Sequence, residues 1–222
     1  NLDAEKMPKE GLVKLKEWSR LLEPDQSDIE LSLKTVVCNP PFEHVKNSEG
    51  NYDDLAAKKA EQLAEAYISR LAELEGALNI LLTGEQKQTY HFGRSFVLSS
   101  DQDQVLFQAV INSAILIDDL NPSLLLGMLN GAFNKSEEMW EQWMSQLSEH
   151  NRLLAVYPSF MATGKFKSEH LNKLLKLTRR GLVAPTEINY LGFGRASDHC
   201  SVSDLSNFAL DLASISERLA WS

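Results

Sequence analysis

Cysteine and long apolar runs are both scarce in this chain of 222 residues. The two cysteines, Cys38 and Cys200, match neither a Cys-x-x-Cys nor a Cys/His metal pattern, so we expect reduced thiols and a cytoplasmic location. Their spacing leaves a single long-range disulfide open. Every apolar run is far shorter than the roughly 20 residues that cross a bilayer, so no membrane span is predicted, and no signal peptide is expected.

Positive charge is also in short supply, with 22 Lys and Arg residues against 31 Asp and Glu residues and a formal net charge of -9. Such a surface repels polyphosphate at long range, which argues against nonspecific nucleic-acid binding by the whole protein. Hydrophobic residues reach 43% and charged residues 24%, as in ordinary globular proteins, so disordered and fibrous classes are excluded. Composition therefore predicts a folded core but names no reaction.

Apolar residues recur every three or four positions through most of the chain, which is the period of one face of an α-helix. This spacing covers residues 9–22, 53–82, 104–117, 121–133, 136–147, 168–180 and 203–219. Residues 28–38 fit a strand or a helix, and we favour a helix because Ser27 and Glu30 form a capping box. We predict an all-α fold, a single multi-helix bundle of about seven to nine helices over residues 1–222, with a separate N-terminal helical arm over 1–50 as an alternative.

Two helical segments are expected to be central. Residues 53–82 predict one long central helix of roughly 45 Å at 1.5 Å per residue, with Gly84 as its C-terminal cap. Residues 104–117 are apolar on nearly every side, which is typical of a helix covered all round by others.

The loop Asn39-Pro40-Pro41-Phe42 resembles the Asn-Pro-Pro-aromatic loop of amino-group methyltransferases, in which the asparagine binds the target amine. Those enzymes also need an earlier strand and a glycine-rich turn for S-adenosylmethionine. Only 35 residues precede Val36, and none of them forms a Gly-x-Gly. We therefore interpret the loop as a helix stop with Phe42 as an aromatic plug.

Two similar tetrapeptides, Phe92-Gly93-Arg94-Ser95 and Phe193-Gly194-Arg195-Ala196, suggest an anion site. Glycine lets backbone amides approach an anion, and arginine adds a bidentate charge. If both are turns that converge on one pocket, Arg94 and Arg195 bind the anion of a small-molecule ligand or substrate. The alternative is a pair of ordinary glycine turns that join helices.

Charge is divided unevenly along the chain. Residues 101–149 hold eight acidic residues and one basic residue, whereas residues 152–180 hold seven basic residues and one acidic residue. Lys173 and Lys176 are further candidates for anion binding, so a nucleic-acid-binding regulator that uses residues 165–180 is one hypothesis. An acidic protein partner, or packing of the basic segment against the acidic one, are the others.

The function we favour is protein interaction: a cytoplasmic adaptor, regulatory or assembly protein that binds another protein or a second copy of itself. Trp140, Trp143 and Met144 form a dense apolar stripe and are the predicted contact residues, with core packing as the alternative. Arg179 and Arg180 are predicted to steer the partner electrostatically. We assign no catalytic residue, no metal site and no cofactor from the sequence.

Overall fold

The structure is a computed structural model that describes residues 28–42, 44–46, 50–192 and 197–220, together with positions 8, 11, 13 and 14. Most of the predicted helix 9–22, most of the proposed arm 1–50 and the whole Phe193–Ala196 tetrapeptide lie outside these residues. The described chain is mostly helical with one small sheet, which confirms the all-α multi-helix bundle.

The α-helices, in chain order, are α1 (Ile29–Ser32), α2 (Leu55–Tyr67), α3 (Leu71–Gly76), α4 (Leu78–Leu82), α5 (Thr89–Ser99), α6 (Asp103–Ala114), α7 (Ser123–Lys135), α8 (Glu137–Leu147), α9 (Tyr157–Met161), α10 (Ser168–Arg179) and α11 (Val202–Ala220). A π-helix, Leu33–Cys38, continues α1, so residues 28–38 are helical as predicted. Shorter 3-10 segments are Ile68–Arg70, Asn151–Val156 and Pro185–Gly192. Strands β1 (His44–Lys46) and β2 (Tyr52–Asp54) pair antiparallel. None of the described helices has the length and apolar character needed to cross a membrane.

Helix α7 lies at the centre and packs against α5, α8, α9, α4 and α6. Its approach to α5 is so close that glycines replace side chains at the contact. A Cβ atom on Gly127 would overlap the Tyr90 carbonyl, and one on Gly131 would lie 2.9 Å from the Arg94 carbonyl oxygen. From the α5 side, a Cβ on Gly93 would lie 2.7 Å from the Leu124 carbonyl oxygen. Glycine therefore permits backbone-to-backbone packing between these two helices.

The prediction of one long helix over 53–82 is wrong. Asp54 ends β2 and caps α2, since its Oδ1 accepts the Ala57 N–H at 3.1 Å. The helical path is then interrupted by the 3-10 turn Ile68–Arg70 and again at Ala77, whose carbonyl accepts the N–H of Ile80 three residues on. The buried positions keep their three- and four-residue spacing through both breaks, so periodicity does not reveal them.

Helix α6 is not covered all round. Leu106, Phe107, Val110 and Ile111 are buried, whereas Val105 is 54% exposed. The helix ends at Ala114, and Leu116 beyond it is 79% exposed. Gly84, the predicted C-terminal cap, adopts positive φ just beyond the end of α4, and Gly181 does the same beyond α10. The Ser136 side chain caps α8 by accepting the Met139 N–H.

Candidate functional site

Phe42 and Tyr52 are unusual among the described aromatic residues because both face solvent, at 88% and 70% exposed. Nine other aromatic side chains are buried in the interior and are no more than 1% exposed: Tyr67, Phe92, Phe96, Phe107, Trp140, Trp143, Tyr157, Phe160 and Phe166. The fold thus buries large rings efficiently and leaves these two outside. The interpretation of Phe42 as a buried plug is wrong.

The β1–β2 sheet places the two exposed rings on one surface. His44 pairs with Asp54, Val45 with Asp53, and Lys46 with Tyr52. Because alternate residues of a strand point to opposite faces, His44, Lys46 and Tyr52 share one face and Val45 lies on the other. The ring of Phe42 stacks on that of His44 with centroids 4.2 Å apart. We call Phe42, His44, Lys46 and Tyr52 the aromatic face.

Hydrogen bonds and an ion pair attach the strands that carry the aromatic face to the helical bundle. The Asp54 Oδ2 accepts a hydrogen bond from Gln88 Nε2 at 3.1 Å, and Asp53 pairs with Lys58 at 2.6 Å. Before the sheet, the carbonyls of Val37 and Cys38 accept the N–H groups of Gln88 and Lys87. The chain is therefore held on both sides of residues 39–42, of which Asn39, Pro41 and Phe42 are exposed.

No sheet at residues 44–54 was predicted from the sequence. The available signal was weak: two short runs with Val45 and Tyr52, separated by Asn, Ser, Glu and Gly residues that favour a turn. Gly50 indeed adopts a φ of 87°. Three-residue strands are too short for alternation to distinguish them from loop.

The predicted partner-binding stripe is in the core. Trp140, Trp143 and Met144 are 0%, 1% and 1% exposed, so their side chains are not accessible to a partner. Both indole N–H groups find internal acceptors, Thr163 Oγ1 for Trp140 and Gln104 Oε1 for Trp143. Trp143 also stacks on Phe107 with centroids 3.8 Å apart. The alternative of core packing is the correct one.

The predicted Phe-Gly-Arg turn at residues 92–95 is also wrong, because it lies inside α5. Gly93 serves helix packing, and Phe92 is fully buried. The half-buried Arg94 donates from Nε to Asn130 Oδ1 at 3.1 Å. Arg195 lies outside the described residues, so the convergence that the anion site requires stays a prediction.

Several cations of the basic segment are engaged within the bundle. Lys167 lies 2.9 Å from Glu137 and 3.2 Å from Glu141, and Arg179 lies 3.2 Å from Asp211. Half-buried Lys173 donates to Ser148 Oγ at 2.6 Å, and burial lowers its pKa. Lys176 and Arg180 remain exposed. The contacts of Lys167 agree with the alternative hypothesis that the basic segment, residues 152–180, packs beside the acidic segment, residues 101–149.

Glu137 and Glu141 of α8 meet Lys167 and His170 at the start of α10, and we call this cluster the α8–α10 seam. A hydrogen bond from Lys167 lowers the pKa of Glu137, and hydrogen bonds to Glu137 and Glu141 raise the pKa of Lys167. His170 Nε2 lies 2.9 Å from Glu141 Oε2. The seam is therefore an ion-pair network at a half-exposed surface.

Glu141, Glu169 and His170 bring three potential metal ligands within 4.8 Å of one another. His170 Nδ1 accepts the Lys167 backbone N–H at 3.0 Å, so in the neutral ring the proton sits on Nε2 and points to Glu141. A metal ligand at Nε2 would need that nitrogen unprotonated and would normally have a hydrogen-bond donor at Nδ1. The Lys167 ammonium already pairs with Glu141 at 3.2 Å, so the geometry fits an ion-pair seam rather than a metal centre.

A cleft of about 600 Å³ opens between the end of the π-helix and the ends of α3 and α4. The polar groups near Cys38 are bonded to one another: Gln86 Nε2 donates to the carbonyls of Ile80 and Thr83, and Cys38 Sγ donates to Ile80 at 3.5 Å. Both Cys38 and Cys200 are free thiols, and burial raises the pKa of each. The cleft has the size of a ligand pocket, but its groups select no class of ligand.

Comparison of the chain with protein-family models, with curated proteins and with solved structures gave no match.

Proposed function

We propose that this helical bundle is a protein-interaction module and that the aromatic face is its contact surface. The observation that carries the proposal is the exposure of Phe42 and Tyr52 beside a core that buries nine other rings. Aromatic side chains are enriched in protein interfaces and dominate their energetics, because one ring buries a large area at little conformational cost.

The nature of its support favours the same function. A binding surface is most effective when it is rigid before the partner arrives, since less entropy is then lost on binding. The hydrogen bond from Gln88 to Asp54 and the ion pair between Asp53 and Lys58 hold β2 against the bundle. We propose an adaptor, regulatory or assembly role in the cytoplasm, supported by the two free thiols.

The competing nucleic-acid hypothesis has less support. Its cations at Lys167 and Arg179 are paired with carboxylates, and Lys173 is half buried. Pairing these cations with carboxylates leaves a weaker electrostatic attraction for a polyanion, on a protein with net charge -9.

The test is selection of a random 12-residue peptide library on the wild-type protein, followed by Kd measurement of enriched peptides by fluorescence polarisation. The double variant Phe42→Ala/Tyr52→Ala should bind about tenfold more weakly or worse, because truncating interface aromatics costs of the order of 2 kcal/mol. Its unfolding midpoint should stay at the wild-type value, since both rings are exposed.

The matched control is Val105→Ala/Leu116→Ala, which truncates exposed apolar side chains outside the sheet. We expect its affinity to equal that of the wild type. Enriched peptides that bind all three proteins equally, or a library that enriches nothing, would overturn the proposed function.

A further inference from the structure

Strand β1 is the outer strand of the sheet. All three of its residues are exposed, whereas Asp53 and Asp54 of β2 are half buried. Within the described part of the chain, the backbone of residues 44–46 makes no hydrogen bond except those to β2. An open edge of this kind presents unpaired N–H and C=O groups to solvent, and it is a template for another extended chain.

We propose that the partner binds by strand addition, as an extended segment that pairs with the free edge of β1. This inference rests on the proposed function of the aromatic face and specifies the kind of partner that it fits. Main-chain hydrogen bonds would supply affinity, and the side chains of β1 would supply selectivity.

The side chains of β1 define the pattern of the added strand. His44 and Lys46 are on one face, and Val45, 50% exposed, is on the other. Opposite charges placed across a strand pair stabilise it, and a β-branched residue packs well opposite valine. On the inner side, the register already places the acidic residue Asp54 opposite His44. The partner segment therefore carries acidic residues at alternate positions with a β-branched residue between them.

Charge complementarity favours such a segment over a second copy of this chain. Symmetric antiparallel pairing of two β1 strands about Val45 would bring His44 of one copy opposite Lys46 of the other. That arrangement places no carboxylate opposite Lys46, whereas an acidic segment does.

The experiment uses fluorescence polarisation of three labelled ten-residue probes on the full chain. The first alternates Glu and Val, the second alternates Lys and Val, and the third is the Glu/Val peptide with its central valine replaced by proline. We expect the wild type to bind the Glu/Val peptide about tenfold more tightly than either other probe, because the Lys/Val peptide places like charges opposite β1 and proline removes an N–H donor.

The variant Lys46→Glu provides the matched reversal, since residue 46 is exposed and its substitution leaves the core untouched. It should prefer the Lys/Val peptide over the Glu/Val peptide. Equal binding of the two charge types by the wild type, or an unchanged preference in this variant, would overturn the charge complementarity.

Strand addition and the proposed function fail in different ways. If the proline peptide binds as tightly as its parent while Phe42→Ala/Tyr52→Ala still weakens binding, strand addition is wrong and the aromatic face remains a protein-binding surface. If that double variant changes nothing, the proposed function itself is wrong. Binding of an oligothymidine probe in preference to every peptide would overturn both in favour of a nucleic acid.

Discussion

The α5–α7 contact and the α8–α10 seam both join two segments of the bundle, but they do so by different physics. Between α5 and α7 the backbones touch at Gly93, Gly127 and Gly131, and shape alone decides whether they fit. Across the seam, Lys167 and His170 meet Glu137 and Glu141 through ion pairs and hydrogen bonds. The first contact excludes water, and the second remains half exposed.

The difference predicts how each contact tolerates change. A close-packed interior cannot absorb an added atom without moving a helix, because its neighbours are already in van der Waals contact. A half-exposed ion-pair network loses one partner at a smaller cost, since water and the remaining groups partly replace it. Glycine substitutions should therefore damage the bundle far more than charge substitutions at the seam.

The largest effect is expected for Gly127→Ala. Its Cβ would overlap the carbonyl of Tyr90, which is backbone and cannot rotate away. We expect the free energy of unfolding to fall by about 3 kcal/mol or more, at the upper end of the overpacking range. Urea unfolding followed by circular dichroism would measure the loss.

Gly76→Ala is the matched control, because a Cβ at Gly76 meets nothing within 4 Å and the residue lies in α3. Removing a helical glycine should leave stability unchanged or raise it by about 0.5–1 kcal/mol. Similar losses in the two variants would show that helix propensity, rather than the α5–α7 contact, sets the response.

Tyr157 gives the next largest effect, since it lies where the seam reaches the interior. The ring is 1% exposed, and burial, followed by the charge of Glu141, raises its pKa to about 12. An unfolded tyrosine ionises near pH 10. The contribution of Tyr157 to the free energy of unfolding is therefore fully present below about pH 10 and is lost as the pH rises towards 12. The loss from this group should reach roughly 2 kcal/mol by about pH 12.

Tyr157→Phe removes that titration and serves as the control. The difference in unfolding free energy between wild type and variant should shift by about 2 kcal/mol in favour of the variant between about pH 9 and about pH 12. A constant difference over this range would show that the ionisation of Tyr157 is not linked to folding.

The helical architecture was largely predictable because burial selects residues every three or four positions. That signal identified the segments seen as α7, α8, α10 and α11, and the conformational freedom of glycine identified the cap at Gly84. It could not reveal the breaks near Ile68 and Ala77, because both preserve the spacing of the buried face. It also misassigned Gly93, since a glycine needed for close packing between helices looks the same in sequence as one needed for a turn.

The candidate site was much less predictable. Trp140 and Trp143 have the residue types of an interface, but only the three-dimensional packing shows that they are buried. Phe42 is the reverse case, because nothing local distinguishes an exposed aromatic from a buried one. Exposure depends on which elements pack over a residue, and those elements come from distant parts of the chain. Pairing of the three-residue strands β1 and β2 is set in the same non-local way.

The smallest of these effects on stability is expected at the seam, for Glu141→Gln. The variant keeps a hydrogen-bond acceptor for His170 but loses the charge that faces Lys167, at 3.2 Å, so we expect a loss of about 1 kcal/mol at low salt. Because salt screens half-exposed charges, the gap should narrow by about half or more in 0.5 M NaCl. Glu138→Gln, an exposed change on the same helix, should have little effect at either salt concentration.

The Gly127→Ala loss should not respond to salt in this way, because no charge takes part in it. A Glu141→Gln loss that also ignores salt would mean that hydrogen bonding and packing hold the seam, and the contrast between the two contacts would then disappear.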